Sequence, residues 1–172
     1  MKVTSNTSPL ICLAKIGRLK LLRDLYGTVI ISHSVKVESV DKGKELGASD
    51  ALEIEKAIEE GWITVTEPTE SQDETVQRLI GEMRIGLGEA EALTLAKDEK
   101  ALIILDDKEA RAIAKSWDLE YRGTVMVLYE AFVCKLINYD ELVEDFAKLA
   151  KVMWISTDVT TEIINMARKV RK

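Results

Sequence analysis

Three short runs of aliphatic and β-branched residues, Thr28–Ser32 (TVIIS), Trp62–Val65 (WITV) and Ala101–Leu105 (ALIIL), constrain this chain more than any other feature. They are short, apolar and scarcely alternate with polar residues. Each therefore reads as a strand buried on both faces. Lys2–Ser5 adds a short first strand, and Leu119–Arg122 a short edge strand. Segments of helical spacing separate them. Buried strands that alternate with helices form a parallel sheet covered on both faces, so the fold class is α/β.

The helices have legible boundaries. Thr7-Ser8-Pro9 opens one, with a hydroxyl cap and a proline in the first turn, and it carries Leu10, Leu13 and Ala14. After a break at Gly17 comes a second apolar run through Leu19, Leu22 and Leu25. Further helices are expected over Ser34–Val40, over Ala48–Glu60 with a stop at Gly61, over Thr75–Met83, and from Glu89 to about Lys97. The last four fit Lys108–Ser116, Thr124–Cys134, Tyr139–Lys151 and a segment after Ser156-Thr157-Asp158. Thr66–Asp73 reads as a polar loop. With only Pro9 and Pro68 and no repeat, nothing divides the chain, and residues 1–172 read as one domain.

Composition narrows the chemistry. Lys and Arg number 24 against 30 Asp and Glu, a formal charge of -6, which argues against a protein that coats nucleic acid through general basicity. The single histidine, His33, and two distant cysteines, Cys12 and Cys134, exclude a zinc cluster or a disulfide scaffold. Both cysteines read as buried small apolar residues of a reducing cytosol. Residues 1–10 are too polar for a secretory core, and no apolar run reaches the ~20 residues of a membrane span. A cytoplasmic protein without a membrane partner, working through carboxylates, is the expectation.

In open α/β sheets ligands bind outside the carboxyl ends of the strands. Asn6 follows the first strand. Asp106 and Asp107 follow ALIIL, where two adjacent carboxylates repel unless a cation, a donor or solvent offsets them; capping the next helix would account for one of them. On a wheel of about 100° per residue, Leu93, Ala96 and Ala92 fall within about 60° of Glu89, so Glu89 lies on the apolar face. Glu91 falls on the opposite face, the one expected to meet solvent. A carboxylate directed inward needs a partner or a metal, unless it only favours the helix N-terminus. Glu38, close to Val35 on its wheel, fits an inward site and a solvated face equally well.

The runs VTSNTSPLICLAKIGRLKLL, GLGEAEALTLA and LIILDDKEARAIA resemble the PIN-domain superfamily, in particular its prokaryotic branch related to VapC-like toxins. The motifs span about residues 3–123, with C-terminal helices over 124–172. The resemblance implies an α/β/α sandwich, Rossmann-like, with a central parallel sheet, and an Mg²⁺- or Mn²⁺-dependent ribonuclease built on three or four acidic residues. It places the family's acids on Asn6, Glu38, Glu89 and Asp107, with Asp106 a rival to the last, and its helper hydroxyls on Thr7 and Ser8. Glu38, Glu89 and Asp107 are then the catalytic acids, and Asn6, an amide where the family usually has aspartate, leaves three carboxylates instead of four. An amide oxygen still ligates a hard cation, without its charge.

Single-stranded or looped RNA is the implied substrate. Lys36, Lys108 and Arg111, with Lys115 on the same helix, are candidate phosphate contacts, or else simply keep the surface soluble. The terminal Arg168, Lys169, Arg171 and Lys172 form a basic cluster that also suits a helix C-terminus. A second class of function is a degenerate PIN module that binds RNA or protein without cleaving. The stripes Leu19, Leu22, Leu25 and Val125, Leu128, Phe132 would serve a homodimer or a small antitoxin if they were not core. A phosphatase or receiver is disfavoured because the first strand ends in Asn6.

Overall fold

β1 (Val3–Ser5) stands at the centre of the sheet, with β2 (Val29–Ser32) on one side and β4 (Leu102–Ile104) on the other. The computed structural model describes residues 2–170. β3 (Ile63–Thr66) and β5 (Tyr121–Arg122) form the edges, so that the order is β3-β2-β1-β4-β5 and all four pairings are parallel. Val3 pairs with Val29 on one side and Leu102 on the other. The chain winds outward from β1 to β3, then crosses back to β4. Strand order therefore reverses between β1 and β4, where such sheets open a crevice at their carboxyl ends.

Between the strands run α1 (Thr7–Lys15), α2 (Lys20–Tyr26), α3 (His33–Lys36), α4 (Lys42–Glu45) and α5 (Ser49–Glu59). α6 (Glu70–Met83), α7 (Leu87–Glu99) and α8 (Lys108–Ser116) follow, and α9 (Thr124–Val133), α10 (Tyr139–Leu149) and α11 (Thr157–Val170) complete the fold. Side chains of a strand alternate between its two faces. Accordingly Leu102 and Ile104 join a core with Leu10, Leu22 and Leu128, while Ile103 and Leu105 join a second with Leu93, Val76 and Ile113. A sheet with a core on each side is the α/β/α sandwich expected.

Several expectations shift. Helix α6 begins at Glu70, inside the segment read as a polar loop, because Thr69 accepts from the Gln72 backbone and Gln72 reaches back to Thr69 in a capping box. The single helix expected over Ser34–Val40 is instead α3 followed by a π-helical turn, Val37–Asp41, and α4. Leu19, Leu22 and Leu128 are fully buried and Val125 nearly so, which makes both apolar stripes core where α2 meets α9. Cys12 is buried as expected, but Cys134, just past the end of α9, is exposed. At the C-terminus Arg168 donates to the Tyr139 hydroxyl at 3.0 Å; Arg171 and Lys172 lie outside the described residues. Among the described residues no helix is long and apolar enough to cross a membrane.

Candidate active site

Asn6 occupies the carboxyl end of β1, its backbone N–H donating to the Ile104 carbonyl of β4 at 3.2 Å. This bond places it on the β1–β4 reversal. As the residue preceding α1, Asn6 is of a type that normally turns its side chain to cap the helix. Here the side chain makes no capping bond, is 3% exposed, and its Oδ1 is buried with no hydrogen-bond partner. An unspent buried acceptor costs about 1–3 kcal/mol and is uncommon in native folds. Among the described residues two other buried side-chain oxygens, Thr4 Oγ1 in β1 and Asp145 Oδ1, share this condition.

Glu38 comes to the same region from the π-helical turn. The Thr7 hydroxyl, one residue beyond Asn6, donates to Glu38 Oε2 at 2.5 Å. The wider π turn, a feature often associated with functional sites, interrupts the regular wheel that left Glu38 undecided. Gly88 in α7 faces the same carboxylate, and a Cβ placed there would lie 3.0 Å from Glu38 Oε2. A glycine at 88 is thus what lets the start of α7 sit against Glu38.

Glu89, next along α7, is half-buried, with Oε2 accepting from the Gly86 backbone at 3.0 Å. Its carboxyl is held above the ordinary glutamate range chiefly by burial, and further by the charges of Asp107, Glu38 and Glu109; the Gly86 bond opposes the rise. The charges of Glu38 and Asp107, carried by two other segments, thus reach Glu89. Asp107 begins α8, its Oδ1 accepting from the Ala110 backbone at 2.8 Å. The cap role and the site role coexist, because Oδ2 makes no hydrogen bond to a described residue.

The adjacent aspartate has different partners. Asp106 turns the other way, accepting from the Thr124 backbone at 2.9 Å, the Thr124 hydroxyl at 2.6 Å and Arg111 Nη2 at 3.2 Å. Its oxygens are occupied by the start of α9 and by α8. Arg111, a candidate phosphate contact, is therefore ion-paired, and its Nε also donates to the Leu105 carbonyl at 3.1 Å. Lys36 likewise pairs with Asp41 at 2.8 Å, whereas Lys108 is exposed at the start of α8. Of the two hydroxyls expected to act as helpers, Thr7 bonds to Glu38, whereas Ser8 is exposed and its hydroxyl bonds to no described residue.

Glu91 is the clearest correction. It is 8% exposed, accepting from the Ser34 hydroxyl at 2.8 Å and the Ser34 backbone at 3.3 Å. α7 has no solvent face over this stretch: residues Ala90 through Ala96 are all buried. A wheel assumes one wet side, and a helix packed against α3, α6, β1 and β2 has none. Glu91 thereby ties α3, which leads to Glu38, to the helix that carries Glu89.

A family model described as a PIN domain matches residues 2–169. The chain belongs to the PIN-domain family. Such domains are generally nucleases, a class of hydrolases. A crystal structure of PAE2754 from Pyrobaculum aerophilum is similar, at 18% identity and a TM-score of 0.53 over 74% of this chain and 93% of that one. That likeness shows a shared fold. The curated proteins contain no match to this chain.

PIN-domain nucleases generally use divalent metals, so the donor set can be weighed against that chemistry. Asn6, Glu38, Glu89 and Asp107 offer only oxygen, which suits a hard cation. Each carboxylate spends one oxygen on a protein donor and leaves the other without a described partner. Asn6 adds an unspent amide oxygen. The negative charges of Asp107 and Glu38 acting on Glu89 are of the kind that a cation relieves. Among the described residues no three His, Cys, Asp or Glu side chains stand close enough to form a ready-made coordination group. The residues fit the cation in the kind of donor they offer. Sequence reasoning missed Glu109, Gly88 and the Ser34–Glu91 tie of this PIN domain; the glycine in GLGEAEAL was the available signal for the second.

Proposed function

We propose that this PIN domain is a metal-dependent endoribonuclease whose Mg²⁺ or Mn²⁺ is held by Glu38, Glu89, Asp107 and the amide oxygen of Asn6. The supporting observation is the buried, unpartnered Asn6 oxygen at the sheet's switch point, where three half-satisfied carboxylates are also carried. A divalent ion bound there supplies a more acidic water, orientation of the phosphodiester and neutralisation of charge on the attacking and leaving oxygens. The chain's own part is positional. The Thr7 hydroxyl, the Gly86 N–H and the Ala110 N–H each hold one carboxylate by one oxygen, which fixes its orientation. No histidine is required as acid or base.

Asn6 sets the site's charge. Three carboxylates neutralise one divalent ion more readily than two, so a single tightly held ion and a preference for Mn²⁺ are expected. The same deficit supports a second reading, a PIN module that binds RNA with little or no cleavage, since the carboxylates are not gathered as a ready-made group. Calorimetric titration with Mn²⁺ and Mg²⁺, beside cleavage of single-stranded RNA, separates the two. Saturable binding with cleavage supports the enzyme; RNA binding without cleavage supports the module; no metal binding at millimolar concentration and no cleavage ends the nuclease reading. Resemblance to VapC-like toxins extends the proposal to a toxin role in the cytoplasm, with a small antitoxin as partner and a homodimer as assembly. Co-purification and solution mass measurement test both.

A further inference from the structure

A cavity of about 640 Å³ opens beside Asp106, lined among others by Arg111, Arg122, Met126, Trp154 and Ser156. It lies along the β5 edge, between the start of α9 and the loop that leads into α11, and it adjoins the candidate site through Asp106, the neighbour of Asp107. Trp154 is 86% exposed, an unusual cost for the largest apolar side chain unless something covers it.

The polar half of the lining is unbalanced in its hydrogen bonds although not in its charge. Its two carboxylates are occupied: Asp106 by Thr124 and Arg111, and Glu130 by the Tyr26 hydroxyl and by Arg122 Nε. Its two guanidinium groups are not. Arg111 uses Nε and Nη2, leaving Nη1, and Arg122 uses Nε and Nη1, leaving Nη2, with no described partner. The Ser156 oxygen accepts from the Val159 backbone, so its hydroxyl hydrogen is also left to give. Residues that line the cavity thus carry unspent N–H and O–H donors beside an exposed indole. Gly123 shows that the arrangement is built, since a Cβ there would lie 2.2 Å from Arg111 Nη2 and expel that guanidinium.

We propose that this groove binds the single-stranded RNA flanking the scissile phosphodiester, with one base stacked on Trp154 and a phosphate held by Arg111 and Arg122. The proposal rests on the nuclease reading. Leftover donors call for an acceptor-rich ligand, and guanidinium pairs with phosphate oxygens through paired N–H bonds. Indole stacking tolerates any base, which suits a flank that is held without being read.

The test is titration of the full chain with a fluorescein-labelled oligouridylate in EDTA, where nothing is cut, read by anisotropy and by tryptophan quenching. Trp62 is nearly buried and Trp117 lies under Lys97, so Trp154 dominates any quenching by a ligand in this groove. Trp154→Ala, at an exposed position, and Arg122→Lys, which keeps a cation for Glu130, are each expected to weaken binding roughly tenfold with the melting temperature unchanged for the first. Equal RNA affinity in wild type and Trp154→Ala overturns the groove and leaves the nuclease reading intact. So does a Trp154→Ala protein that binds RNA normally but loses self-association, which would assign the groove to a second copy. Absence of RNA binding with metal-dependent cleavage retained also removes only the groove, whereas absence of both removes the two together.

Discussion

Replacing Glu91 by alanine is expected to lower the melting temperature by about 4–8 °C. The carboxylate accepts two bonds from Ser34, and hydrogen bonds to a charged group contribute about 1.5–3 kcal/mol each, a gross loss of about 3–6 kcal/mol. Two terms modify this. Releasing a carboxylate that is 8% exposed returns part of its desolvation cost, and half-buried Ser34 can recover some bonding from water, which together offset roughly half. The void left between α3 and α7 works in the other direction. A net loss of about 2 kcal/mol in a domain of this size corresponds to the stated shift, at about 2–4 °C per kcal/mol. Calorimetric melts of wild type, Glu91→Ala, Ser34→Ala and the double variant measure it, with a coupling of about 1 kcal/mol expected between the pair. A solvent-facing glutamate would change stability by no more than about 0.5 kcal/mol. A melting temperature within 2 °C of wild type and no coupling would refute the assignment of Glu91 as a buried strut.

Three further outcomes follow from the same geometry. Glu89 has a raised carboxyl pKa in the fold, so the folded state holds its proton more tightly than the unfolded chain; its stabilising contribution is complete below the ordinary value of 4.5 and is lost as pH rises through the raised one. In metal-free buffer, Glu89→Gln should therefore flatten the stability profile just above that value, and an unchanged profile would remove Glu89 from the cluster. Gly88→Ala puts a Cβ 3.0 Å from Glu38 Oε2, the oxygen that Thr7 holds. Mn²⁺ affinity measured by calorimetry should fall at least several-fold, and an affinity equal to wild type would separate Glu38 from the ion. Cys134 is exposed, while burial, helped by the charge of Asp106, pushes the Cys12 thiol up to about 11. A thiol-disulfide reagent at neutral pH should modify one cysteine in the native protein and two in denaturant, which mass spectrometry checks.

The strands and the parallel sheet could be read from ALIIL, TVIIS and the helices between them, because doubly covered strands are nearly uninterrupted in apolarity, while the strand order and its reversal came only with the structure. Asn6 and the Asp106-Asp107 pair could be placed near the carboxyl ends of β1 and β4, which pair side by side in the sheet. What could not be read came from contacts between distant segments. Glu91 resembles any polar position of an amphipathic helix until α3 covers it. Asp106 and Asp107 are interchangeable as letters, and only the approach of Thr124 and Arg111 shows which one turns away. The π turn at Glu38 leaves no periodic signal in five residues, and Thr69 and Gln72 form a capping box that their polarity disguised as loop. Trp154 carries no motif in the sequence, and its 86% exposure emerges only from the fold.

Three carboxylates and an amide at the β1–β4 reversal either make a working nuclease or leave a site that only binds. Metal-dependent cleavage of single-stranded RNA by wild type, Asp107→Asn and Asn6→Asp, with Mn²⁺ and with Mg²⁺, tests this most directly. Asp107→Asn should abolish cleavage. Asn6→Asp should raise it, and more with Mg²⁺ than with Mn²⁺, because the fourth charge is restored where the unpartnered oxygen now stands. Equal activity in all three proteins would contradict the placement of the site.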